Sequence, residues 1–157
     1  MSLVRAAPGP PQVDYRIVPL EYNFKVASGS DRVEAMRSVR ILGVATMYGR
    51  VEAGVFLMGL LLAVRPEDRE MRAEIVRALR HTRTPGCAAL LLELLASLPD
   101  TQQNAALIEV LLDVLAEMPT SLIEPRLLEL ARDDRFSQTQ RRGFLQVLED
   151  ADTLSFG

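Results

Sequence analysis

From Asp31 onward, apolar residues recur at the i, i+3, i+4 spacing that gathers side chains on one face of an α-helix, and helix-starting or helix-stopping residues bound each run. Asp31 with Glu34 forms a capping-box pattern for a first helix, which Gly49 can end in the left-handed conformation. A second helix is predicted from Arg50 to Val64, broken by Arg65-Pro66-Glu67-Asp68, and Asp68 caps a third from Arg69 to His81. Thr84 caps the fourth, with Pro85 at the first helical position, where a missing N–H costs nothing. Pro99-Asp100-Thr101 opens the fifth, Ser121 with Glu124 boxes the sixth, and Ser137 with Gln140 boxes the seventh. Ahead of Asp31 the period changes to two. Leu20, Tyr22, Phe24 and Val26 alternate with polar residues, as do Val13, Tyr15 and Ile17, with Pro19 between. This predicts an extended or β-hairpin arm over residues 12–30, preceded by a flexible Pro-rich leader over 1–11; a tail is expected over 151–157.

The helices repeat. Thr84 to Leu95 and Thr120 to Ala131 echo one another about 36 residues apart, Leu91-Leu92-Glu93-Leu94-Leu95 falling on Leu127-Leu128-Glu129-Leu130-Ala131. Shifts of similar size carry Val39, Leu42 and Gly43 onto Ile75, Ala78 and Leu79, then onto Ile108, Leu111 and Leu112, then onto Phe144, Val147 and Leu148. In the partner set, Val55-Phe56-Leu57-Met58 falls on Leu91-Leu92-Glu93-Leu94. On these features residues 31–150 resemble the HEAT-like (armadillo-type) helical repeat family. The inter-helix Asp and Arg ladder of that family is only partly present. The resemblance implies an all-α, right-handed α-solenoid of about three helix pairs plus a terminal helix, and a binding surface rather than a reaction.

Composition narrows the picture. The 157 residues suffice for one domain with its own core. Eighteen basic against 21 acidic residues leave a net charge of -3, too little for strong attraction to nucleic acid. Lys25 is the only lysine, a bias that fits a GC-rich bacterial genome. Cys87 is the only cysteine and His81 the only histidine, so no zinc-type ligand set, phosphate loop or dinucleotide motif is expected, nor any cofactor. The acidic pairs Glu67-Asp68 and Asp133-Asp134 stand at helix junctions, where they serve as caps. Ala53 to Val64 is apolar throughout, yet at about 1.5 Å per residue it is shorter than a ~30 Å hydrocarbon core. A buried helix and a cytoplasmic protein are therefore expected.

Two surfaces stand out. Turns within helix pairs should emerge on one edge of a repeat stack, aligning Tyr48, Arg50, Arg80, His81 and Arg83 as a basic edge opposite an acidic edge of Glu67, Asp68, Asp100, Asp133 and Asp134. The face of the partner helices carries Glu93, Arg126 and Glu129. The all-apolar second helix needs a cover, supplied by the arm, by another protein, or by a second copy meeting it through Ala53–Val64 or through the arm. Together these features predict a non-enzymatic scaffold or adaptor for an unidentified protein partner. The alternatives are a nucleic-acid-binding repeat protein and a self-assembling subunit; an enzyme of the HEAT-like lyase or glycosylase kind ranks lowest.

Overall fold

The computed structural model describes residues 13–156, so the leader expected over 1–11 lies outside the described residues. Eight α-helices follow one another: α1 (Leu20–Ala27), α2 (Arg32–Met47), α3 (Val51–Ala63), α4 (Arg69–Ala78), α5 (Pro85–Ser97), α6 (Ala105–Ala116), α7 (Thr120–Ala131) and α8 (Gln138–Phe156). Short 3-10 turns cover Leu79–His81 and Gln102–Asn104. No strand occurs among the described residues, and the chain is all-α there.

Local chemistry sets most boundaries. The side chains of Asp31, Asp68 and Thr84 accept from the N–H groups of Glu34, Met71 and Cys87, satisfying donors that a helix start leaves open. At α8 the box is reciprocal, with Ser137 Oγ accepting from Gln140 N–H and Gln140 Oε1 accepting from Ser137 N–H. Gly49, at φ 81°, ends α2 in the left-handed region; its N–H reaches Thr46 O while Arg50 N–H reaches Ala45 O, the paired bonds of a Schellman motif. α7 departs from the expected pattern. It starts at Thr120 after Pro119, so Ser121 is an exposed helical residue and no Ser121–Glu124 box forms.

The helices form two layers. α2, α4, α6 and α8 each pack against the next, and α3, α5 and α7 lie on them, with α5 against α7. Between the layers runs one core, in which Val39, Leu42, Leu57, Ile75, Leu79, Leu91, Leu111, Leu127 and Phe144 are essentially inaccessible. Burying such a side chain stabilises by roughly 1.5–3 kcal/mol. The repeat positions of the first layer, from Val39 to Leu148, are all buried or packed against this core.

Three expectations need correction. The arm over 12–30 is not extended from Leu20 on, because Leu20–Ala27 is helical. A lone strand would leave its backbone groups unpaired, whereas the helix satisfies them internally and buries Leu20, Asn23 and Ala27 on one face. The pairing of Val55 with Leu91 also fails: Val55 is exposed, and Leu57 is the residue buried like Leu91 and Leu127. α2 runs eight residues past Val39 and α4 only three past Ile75, which outweighs the shorter turn after α2, so α3 sits two residues out of the expected register. Finally, α8 continues through Phe156, absorbing residues that were expected to form a tail.

Candidate interaction surface

Arginines tie several helices to the neighbour one repeat away. Arg32 makes a two-pronged contact with Asp68, both N···O distances 2.9 Å, and also reaches Glu70. Arg40 binds Glu74 at 2.8 Å, Arg69 binds Asn104 at 2.8 Å, and Arg126 binds Glu93 at 3.0 Å. Arg80 pairs with Glu117. The hydrogen bonds from Arg32 hold the Asp68 carboxyl below the usual carboxylate range, and Glu117 raises the Arg80 guanidinium. The pairs are largely solvated, so they add little stability and their main effect is to fix repeat register.

This ladder takes up Arg80 from the basic edge expected from the sequence. The turn Leu79–His81, which carries Arg80 and His81 of the expected residues, packs against α2, α3 and α6. Their side chains differ in what they do. Tyr48 stacks on Tyr15, ring centroids 5.7 Å apart and planes 17° apart. Arg50 is half-buried and donates to the main-chain oxygens of Tyr15 at 3.3 Å and Val18 at 3.1 Å, clamping the N-terminal segment to the start of α3. Arg80 is committed to Glu117. His81 and Arg83 are exposed and without a partner among the described residues. On the partner-helix face, Arg126 bridges Glu93 of α5 and Glu129 of its own helix, each at 3.0 Å, so the trio is mutually satisfied.

The acidic edge is likewise mostly engaged. Asp68 is held by Arg32, Asp134 lies 3.7 Å from Arg141, and Asp133 is gripped by Arg135, whose hydrogen bonds lower its carboxyl to about 2. Asp100 accepts from Ser137 Oγ at 3.4 Å.

α1 covers a flank of α3 through Phe24 and Phe56, ring centroids 5.0 Å apart, but Val51, Val55 and Leu62 remain 73%, 68% and 74% exposed. With buried positions aligned, Pro85 and Ala89 of α5 and Ser121 and Pro125 of α7 occupy the places of Val51 and Val55. The stripe is thus peculiar to the first repeat. Its signal was the all-round apolarity of Ala53–Val64, but the direction it faces depended on a register that sequence alone misassigned.

Burial pushes the Cys87 thiol up to about 12, so it stays protonated and acts as a packing group. Among the described residues no cluster of three His, Cys, Asp or Glu could hold a metal ion, and no helix is long and apolar enough to cross a membrane. Comparisons of the chain with protein-family models, with curated proteins and with solved structures give no match.

Proposed function

We propose that this chain is a HEAT-like helical-repeat scaffold that binds a protein partner through the turn edge beside α5. The observation that carries this reading is the two-layer stack of recurrent helices with its cross-repeat arginine ladder. Such a stack presents an extended, rigid surface without needing a reaction centre. On the edge, Arg50 and Arg80 are engaged internally, which leaves His81 and Arg83 available there. A partner with an acidic surface fits them, since charge complementarity steers association and sets orientation.

The test is affinity purification with crosslinking in the native host, comparing wild type with a His81→Glu, Arg83→Glu double variant. Both positions are exposed, so the fold should persist, and loss of the main captured partner is expected. An unchanged partner set would rule out the edge as the binding site. Arg50 and Arg80 are unsuitable for this purpose because replacing them would break internal contacts.

A further inference from the structure

We infer that α3 is a self-association seam, and that a second copy of this chain packs on it antiparallel across a two-fold axis. The inference goes beyond the partner-binding reading above and rests on different residues. Val51, Val55, Met58 and Leu62 follow one another at intervals of four, three and four, the spacing of a helix seam that meets another helix. Three of them are about 70% exposed or more, while Met58 is half-buried toward Gly86 of α5.

The identity of the occupant follows from symmetry and charge. In an antiparallel pair, Val51 lies against Leu62 of the second copy and Val55 against Met58, so a single apolar stripe complements itself. The flanking charges agree with that orientation. Glu52 stands in the first turn of α3 and Arg65 just past its end, both exposed and neither ion-paired among the described residues. Antiparallel packing brings Glu52 of one copy to the end where Arg65 of the other projects, twice per dimer. Parallel packing would instead set Glu52 beside Glu52 and Arg65 beside Arg65. A standard interface buries roughly 800 Å² from each partner, more than one helix stripe supplies. The exposed Met47 and Tyr48, in the turn that leads into Val51, extend the patch from the same end.

Purified full-length chain, followed by size-exclusion chromatography with light scattering across the micromolar range, tests this directly. The expected mass is twice the 17.4 kDa of one chain, halved in a Val55→Glu variant whose far-ultraviolet dichroism remains that of wild type. A Val51→Cys, Leu62→Cys double variant should oxidise to a covalent dimer. Mixing the two single variants should crosslink them to each other in preference to themselves, and the buried Cys87 should not compete. A wild type of single-chain mass at every concentration would overturn the inference, as would a dimer that survives Val55→Glu. Self-crosslinking of the single variants would overturn the antiparallel arrangement. A chain that dimerises only after removal of residues 1–12 would assign the stripe to the leader instead. Because no other protein is present, none of these results bears on the edge formed by His81 and Arg83.

Discussion

Gly43 shows how much one absent methyl group decides. A Cβ at this position would lie 2.9 Å from the Cβ of Ala78 and 3.0 Å from its Cα, so α2 and α4 approach as closely as they do only because the position is bare. Replacing Gly43 by Ala would gain about 1 kcal/mol of helix propensity, but overpacking of this kind costs roughly 1–3 kcal/mol. The obstacle is main chain, which cannot rotate away, so the cost wins. Gly43→Ala is expected to lower the urea midpoint at unchanged slope, a net loss of about 1 kcal/mol or more. A gain in stability would show that the two helices can slide apart freely. A second residue-level device joins α1 to α2: buried Asn23 donates to Pro19 O at 2.8 Å and accepts from Ser38 Oγ at 3.1 Å. Each of these polar groups is matched inside the core, where an unmatched one would cost about 1–3 kcal/mol.

At the scale of the element, legibility in the sequence depended on how local the deciding interaction was. Asp31, Asp68, Thr84 and the Ser137–Gln140 pair announced their helices because a cap is a contact over three residues. α1 was misread because Leu20 to Val26 satisfies a period of two as readily as a helix. What settles it is Asn23 meeting Ser38, fifteen residues away. The basic edge was half-legible in the same sense. Its residues were identifiable as turn positions, but the partner of Arg80 lies 37 residues distant and, like that of Arg126 on the partner-helix face 33 residues away, follows only from the repeat register. Arg50 makes the clearest test at this scale, since its guanidinium holds the segment before α1 by two main-chain oxygens. Arg50→Ala should loosen that segment, costing about 1 kcal/mol or somewhat more for the lost charged hydrogen bonds. Limited trypsin digestion should then cut at Arg16 at least several-fold faster, with the rate at Arg83 unchanged. Equal rates at Arg16 in both proteins would show that the clamp contributes nothing.

For the whole molecule, the layered order of helices implies nearest-neighbour energetics. α4 is sandwiched between α2 and α6, and α6 between α4 and α8, whereas α8 has no further helix on its outer side among the described residues. Stability in such stacks is close to a sum of unit and interface contributions, so opening should begin at the ends and reach the middle last. Native-state hydrogen exchange is expected to find the slowest amides in α4 and α6, with the last turns of α8 exchanging at least ten-fold faster. Uniform protection along the chain would instead indicate a single all-or-none unit. The Tyr15–Tyr48 stack bears on how that difference is seen. The protein has three tyrosines and no tryptophan, and all three lie in or before the turn that follows α2. Its intrinsic emission therefore speaks for one end of the stack alone, while the helical dichroism averages over every repeat. The two optical signals act as independent gauges of the end and of the whole, already built into the native chain without a label.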